Sequence, residues 1–381
     1  MAVTAGLRRD ARNDSTRCMS ISASLVVSAR TRFICCNFAQ GLQGSTRGTP
    51  MFRTILAAIL LLAAGVVHAS DPCPALQRSP PSAVTATRIA SVACAENMLW
   101  FRPFITADGR VASTTLAEGE SARLADATTP AWQRVALYWR DSGLMPEMAN
   151  FPGALDCGYA SGPTASSPAC RAFVIDHAWS AAFVSYVMRK ADVPGFRASP
   201  AHFDYVRDAW LRPDTSPFLF LDPTVAAPAT GDLLCSVRMT GQVFGYAGLI
   251  AAIDANRGSL NMHCDIVAGV DAGKAYLIGG NVQQGVTMRL LNINRNGQFW
   301  SLPRRSIADP PCSPDSESSC NFNRQDWAAL LKLKAPAALA LLPHVGPPSP
   351  AAPAPPTTTC CVYCVVGAVP PVPRCPVPSG G

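Results

Sequence analysis

The chain has 381 residues, 15 cysteines and 34 prolines, and its formal net charge is +7. Most of this charge lies in the first 69 residues, and the chain without them carries a net charge of +1. Because no run of basic residues occurs in the remainder, the composition excludes a nucleic-acid-binding protein.

Residues 51–69 have the composition of a secretory signal peptide: one arginine, an apolar run and the small-residue end Val67-His68-Ala69. The apolar run from Ile55 to Val67 has 13 residues, whereas a membrane span needs roughly 20. We therefore expect a periplasmic or secreted protein with no stable membrane span. Since a signal peptide begins at the initiator methionine, we also expect translation to start at Met51, with residues 1–50 as a non-native upstream extension.

Twelve cysteines follow the predicted signal peptide, and an even number in an exported chain indicates disulfides rather than metal ligands. Local spacing favours three pairs, Cys73–Cys94, Cys157–Cys170 and Cys312–Cys320, and neighbouring strands offer a fourth, Cys235–Cys264. The cluster Cys360, Cys361 and Cys364 lacks a second pair at zinc-finger spacing. We expect no metal and no cofactor.

Helices dominate the first half of the folded region. One helix is predicted to begin near Pro130, with Trp132 and Trp139 on its apolar stripe. A second is predicted in the run Asp176–Lys190 (DHAWSAAFVSYVMRK), where large apolar residues recur at helical spacing and the small residues Ser180–Ala182 form the first turn. A further short helix, Pro200–Leu211, carries His202. A lone helical histidine is more often a surface or packing residue, so His202 is not placed in the catalytic set.

Strands are predicted after residue 223, over residues 231–238, 262–270, 275–281 and 286–292, followed by a final helix, Gln325–Lys334. Helices followed by an antiparallel meander predict an α+β domain over residues 70–344, with its core at about 130–300. Eleven prolines in residues 345–381 predict a disordered Pro/Cys-rich tail.

A histidine and an asparagine are brought together by the register of the predicted hairpin. In the strand 262–270, alternation puts His263 and Asp265 on one face. A three-residue turn ending at Gly273 pairs Val270 with Lys274, which sets His263 directly opposite Asn281. An amide at this position is close enough to orient an imidazole.

These stretches resemble a known family. WSAAFVSY (179–186), HCDIV (263–267) and GGN (279–281) are similar, in this order, to motifs of the papain-like cell-wall hydrolases of the NlpC and CHAP type. More closely, the set resembles a bacterial family of exported proteins of unknown function that carries serine in this helix. The resemblance implies a papain-like fold and a peptidoglycan amidase or peptidase activity.

In the hydrolases the nucleophile is cysteine, and Ser180 occupies that position here. The resemblance then implies Ser180 as nucleophile, His263 as base and Asn281 as orienter, with Trp179 and Gly280 binding substrate. Asp265 lies two strand residues from His263 on the same face, so we expect it to contact substrate or to act as a second orienter. A serine needs the histidine to remove its proton during attack, because it does not form a thiolate-like ion pair.

Three questions about the function and the nucleophile stay open. The chain is either a serine hydrolase or a catalytically inactive module that binds peptidoglycan or another envelope component. Ser180 itself is either a nucleophile or a hydroxyl that satisfies a backbone N–H at the helix start. Cys264 is a weaker candidate nucleophile, because strand alternation points it away from His263.

Overall fold

The computed structural model describes residues 70–114, 116–162, 166–271 and 273–344. The predicted upstream extension, signal peptide and tail lie outside these residues. No helix in the described part of the chain is both long and apolar enough to cross a membrane.

The helices of the described chain come mainly before the large strands. They are α1 (Cys73–Arg78), α2 (Thr85–Leu99), α3 (Ala131–Asp141), α4 (Pro168–Asp176), α5 (Ser180–Lys190), α6 (His202–Leu211), α7 (Gly245–Asp254) and α8 (Pro336–Leu339), with 3₁₀ turns at Leu155–Tyr159 and Pro314–Ser319. The helix predicted over Asp176–Lys190 therefore begins at Ser180, and Asp176 is the last residue of the separate helix α4.

Eight strands form one sheet. They are β1 (Phe104–Ile105), β2 (Val111–Ser113), β3 (Phe218–Leu221), β4 (Leu233–Val237), β5 (Met262–Val270), β6 (Lys274–Val282), β7 (Gly285–Asn292) and β8 (Asp326–Leu333). Their order is β2-β1-β7-β6-β5-β4-β8-β3, and every pairing is antiparallel except β1 with β7. The predicted α+β class and the β5–β6–β7 meander are confirmed.

The predicted final helix Gln325–Lys334 is wrong, because this segment is strand β8. Residues Asp326–Leu331 are all buried, since β8 lies between β4 and β3 with both of its faces covered. A strand that is apolar on both faces does not alternate, and a short apolar run of this kind cannot be told from a buried helix by periodicity.

A buried carboxylate fixes α5 against the N-terminal helices. Glu96 of α2 accepts hydrogen bonds from Arg134 (2.9 Å) and Tyr138 (2.7 Å) of α3 and from Tyr186 of α5 (3.0 Å). The aromatic ring of Tyr138 also packs on Trp179 and Phe183. Because a buried charge is costly unless it is paired, these bonds favour a single arrangement of the three helices.

Four disulfides join described residues, and all of them were predicted: Cys73–Cys94, Cys157–Cys170, Cys235–Cys264 and Cys312–Cys320. The first ties α1 to α2, and the second ties the turn at 155–159 to α4. The third crosses from β4 to β5. Such a set is typical of proteins that fold in an oxidising compartment.

Candidate active site

Ser180 is the first residue of α5, and its hydroxyl points to a histidine. The Phe183 N–H is the first in the helix to reach a carbonyl, that of Trp179 at 2.9 Å, so the N–H groups of the first turn have no acceptor within the helix. Ser180 Oγ lies 2.7 Å from Nε2 of His202 in α6. A hydroxyl, a helix N-terminus and an imidazole thus meet at one point.

The hydrogen bonds of His202 indicate which of its nitrogens carries the proton. Its Nδ1 is bonded to the Tyr205 hydroxyl, which has no other partner among the described residues. Burial raises the pKa of Tyr205 well above its ordinary value, so the hydroxyl keeps its proton and needs an acceptor. The tautomer in which Tyr205 donates to Nδ1 and Nε2–H donates to Ser180 Oγ satisfies Tyr205 and leaves only the Ser180 hydroxyl hydrogen without an acceptor among the described residues.

His202 is therefore a neutral donor to Ser180. Burial lowers the pKa of His202 well below its ordinary value, and the neighbouring His263 and Arg238 lower it further. Because both of its ring nitrogens are already engaged, the proton of the Ser180 hydroxyl is left to bond elsewhere.

His263, the second residue of β5, is held by a carboxylate and an arginine. Its Nε2 bonds Asp265 Oδ1 at 2.8 Å, and Arg289 Nε of β7 bonds Asp265 Oδ2 at 3.0 Å. Burial alone would raise the pKa of Asp265, but contact with His263 and the Arg289 guanidinium holds it well below its ordinary range. Arg289 is fixed in turn by Asn323 Oδ1 at 2.8 Å.

The second ring nitrogen of His263 is buried and has no hydrogen-bond partner among the described residues. Burial and Arg238 lower the pKa of His263 to about 4, so at neutral pH the ring is uncharged and donates to Asp265 through Nε2–H. Its Nδ1 is among the buried polar atoms without a hydrogen bond, as is the Oγ of Ser236, which faces His263 across the β4–β5 pair. The His263 ring packs edge-on against His202, with centroids 5.2 Å apart.

The structure brings together only part of the predicted site. The β5–β6 ladder starts with Val270 opposite Ala275, one residue away from the predicted register, and an irregularity between Val267 and Gly269 restores the predicted count at Ile266–Ile278. Asn281 has a left-handed φ of 54° where the β6–β7 pairing is also irregular. Among the described residues it makes no hydrogen bond to His263, and Asp265 holds the imidazole instead.

Two residues predicted to bind substrate lie inside the fold. The Trp179 side chain is fully buried, stacks on Trp100 and donates from its indole N–H to Glu118 at 2.9 Å. Gly280 faces α5, where an added Cβ would lie 2.4 Å from Cβ of Phe183. In this conformation both positions serve packing.

His202, Tyr205 and Arg289 belong to the site but were not predicted. The signal for the first two was their spacing: residues three apart on a helix share a face, and here they form a hydroxyl–imidazole pair. The contact between α6 and the start of α5 is tertiary, and no spacing within either segment encodes it.

Comparison with known protein families matches residues 126–333 to the family described as an uncharacterized protein conserved in bacteria, DUF2272. This chain belongs to that family. The DUF2272 region contains both histidines, Ser180, Asp265 and Arg289, whereas helices α1 and α2 precede it. No curated protein and no solved structure matches the chain.

The acid–base groups of the DUF2272 region are not arranged as a metal site. Within the described residues, no group of three histidine, cysteine, aspartate or glutamate side chains is placed to hold a metal ion. The site instead contains a hydroxyl bonded to an imidazole and a second imidazole with an unpartnered ring nitrogen, which are group types that nucleophilic catalysis uses.

Proposed function

We propose that this protein is an exported cell-envelope hydrolase of papain-like architecture that cleaves an amide bond of peptidoglycan. The observation that carries the proposal is the 2.7 Å contact between Ser180 Oγ and His202 Nε2, beside a second imidazole held by Asp265. The resemblance of WSAAFVSY, HCDIV and GGN to cell-wall hydrolases supplies the substrate class.

In the proposed reaction, Ser180 Oγ attacks the amide carbonyl carbon while its proton passes to Nδ1 of His263. The new C–O bond gives a tetrahedral oxyanion, and in the proposal the N–H groups in the first turn of α5 donate to it. The C–N bond then breaks, and His263 returns the proton to the leaving amine. Water hydrolyses the acyl-serine by the same route.

The other residues would position these groups. His202 donates to Ser180 Oγ, so the hydroxyl proton is directed away from His202. Asp265, fixed by Arg289, holds the His263 tautomer whose Nδ1 lone pair is free. The role that the sequence assigned to Asn281 thus passes to Asp265 in the proposal.

The test is release of soluble muropeptides from purified sacculi by the exported, disulfide-bonded chain. Ser180→Ala and His263→Gln should each reduce release by a factor of about 10² or more, because each removes a member of the nucleophile–base pair. Ser185→Ala is the matched control: Ser185 lies in the same helix and is fully buried, but it bonds Ser199 rather than an imidazole. Release that persists in Ser180→Ala would refute the proposal.

A second reading, an inactive module that binds the envelope, is favoured by one observation. Ser180, His202 and His263 are only 7, 4 and 1% exposed, so a substrate reaches them only after local opening. A fluorophosphonate probe distinguishes the readings without a substrate. Labelling of wild type but not of Ser180→Ala supports the hydrolase, whereas no labelling, no release and retained binding to sacculi support the module.

A further inference from the structure

A groove of about 510 Å³ lies between α4 and the segment that leads into α3. Two arginines, Arg123 and Arg171, line it together with Ser121, Ser167 and Trp132. Its volume is within the range of small-ligand sites. The groove does not contain the Ser180 site.

Both arginines are anchored by neutral acceptors. Arg171 donates from Nε to the Gly119 carbonyl and from Nη1 to Ser121 Oγ at 3.2 Å, and Arg123 donates to the Ala127 carbonyl at 3.3 Å. Neither forms an ion pair with a carboxylate in the described part of the chain. Several N–H donors of each guanidinium thus have no acceptor among the described residues.

The serines of the groove add further donors. Ser121 Oγ accepts from Arg171, and Ser167 Oγ accepts from the Cys170 N–H at 3.1 Å. Because each oxygen is used as an acceptor, each hydroxyl hydrogen is free to be donated. A groove with two cations and several donors is complementary to a ligand rich in anionic oxygens.

The groove is linked to the start of α5 through the protein interior. Gly119, whose carbonyl anchors Arg171, follows Glu118, and Glu118 accepts the indole hydrogen bond of the buried Trp179, the residue before Ser180. The groove and the Ser180 site therefore share supporting residues.

We propose that this groove binds free carboxylates of the peptide substrate, so that the enzyme selects acidic stem peptides over amidated ones. The inference rests on the proposed function, because a peptidoglycan stem peptide is what would supply free carboxylates to the groove. Arg171 and Arg123 form charged hydrogen bonds to the carboxylates, and the serine hydroxyls complete the set of donors.

Binding is measured apart from cleavage by calorimetric titration of the full exported chain carrying Ser180→Ala. The probes are the stem tripeptide alanyl-γ-glutamyl-diaminopimelate with free carboxylates, the same tripeptide with amidated carboxylates, and inorganic phosphate. The free acid should bind at least about tenfold more tightly than the amide, since a hydrogen bond between two charged groups is roughly twice as strong as one between neutral groups. Its affinity should also fall as salt is added.

Arg123→Gln carries little risk to folding, because Arg123 bonds only an exposed loop carbonyl, and it should weaken the preference for the acid. The double variant with Arg171→Gln should abolish this preference. The charge-matched control is Arg110→Gln with Arg212→Gln, two exposed arginines outside the groove. Equal binding of acid and amide, binding of phosphate alone, or no binding of any probe would overturn the proposal. Failure of muropeptide release with the acid preference intact would instead count only against the hydrolase.

Discussion

Two adjacent glycines of β6 make room for different neighbours: Gly279 for the Asp265–His263 pair and Gly280 for Phe183 of α5. An added Cβ at Gly279 would lie 2.0 Å from Asp265 Oδ1 and 2.9 Å from His263 Nε2. At Gly280 it would lie 2.4 Å from Cβ of Phe183. Each glycine therefore leaves space that a different neighbour fills.

Gly280→Ala should lower the free energy of unfolding by about 1–3 kcal/mol, because α5 must move away from the sheet. Gly279→Ala should displace Asp265 from His263. It should therefore reduce muropeptide release strongly while lowering the free energy of unfolding less than Gly280→Ala does. Gly258→Ala is the control, since its Cβ would meet no atom within 4 Å. Urea unfolding and the release assay measure the two effects, and equal behaviour of all three variants would contradict this division.

Ser236 and Ser185 are both fully buried serines, and they differ in their partners. Ser236 Oγ has no hydrogen bond, whereas Ser185 Oγ donates to the Ser199 carbonyl and accepts from its N–H. Ser236→Ala should therefore leave stability unchanged or raise it, and Ser185→Ala should lower it by about 1 kcal/mol. Urea unfolding of the two variants decides this. A loss in Ser236→Ala as large as in Ser185→Ala would mean that a water bridges Ser236 to His263.

At the scale of elements, the disulfide Cys235–Cys264 joins the neighbouring strands β4 and β5 beside Ser236 and His263. Replacing both cysteines with alanine should cost about 3 kcal/mol of unfolding free energy, because the bond closes a chain segment of 29 residues. The pair Cys312–Cys320 closes only 8 residues in a loop, so the same replacement there should cost less. Unfolding curves of both double variants test the order, and a reversed order would contradict it.

The sequence predicted elements whose ends are marked by turn residues or by helical spacing. Strand β5 has the predicted bounds Met262–Val270 although both of its faces are buried, because the turn to Gly273 marks its end, and α6 ends at the predicted Leu211. Strand β8 was taken for a helix because a short run that is apolar on both faces cannot be told from a buried helix by periodicity. The bulge near Ala268 was missed since it changes register without changing composition.

The candidate site was predictable where one segment carries the information. His263 and Asp265 share a face by strand alternation, and this pairing is present at 2.8 Å. Ser180 was found from the start of its helix. By contrast, the contacts of Ser180 with His202 and of Asp265 with Arg289 join segments 22 and 24 residues apart, and only the packed molecule fixes them.

For the whole molecule, the two neutral buried histidines predict acid sensitivity well above the range where carboxylates titrate. An unfolded histidine has a pKa of about 6.5, whereas the pKa of folded His263 is about 4 and that of His202 is also lowered well below its ordinary value. Between these values the unfolded chain binds protons that the folded chain excludes. The contribution of the two histidines to the free energy of unfolding is therefore fully present above about pH 6.5, and it is lost as the pH drops through this window.

The loss from His263 alone should be of the order of 3 kcal/mol by pH 4, and His202 adds to it. Asp265, whose folded pKa is lowered, extends the loss below the ordinary aspartate pKa of 3.8. Urea unfolding between pH 8 and 4 with the disulfides intact measures the slope. His263→Gln should flatten it and Ser236→Ala should leave it unchanged, because only the first removes a titrating group. A free energy of unfolding that is constant from pH 6.5 to 4 would show that both imidazoles take up protons in the folded state, and the neutral donor and acceptor roles assigned to them would then fail together.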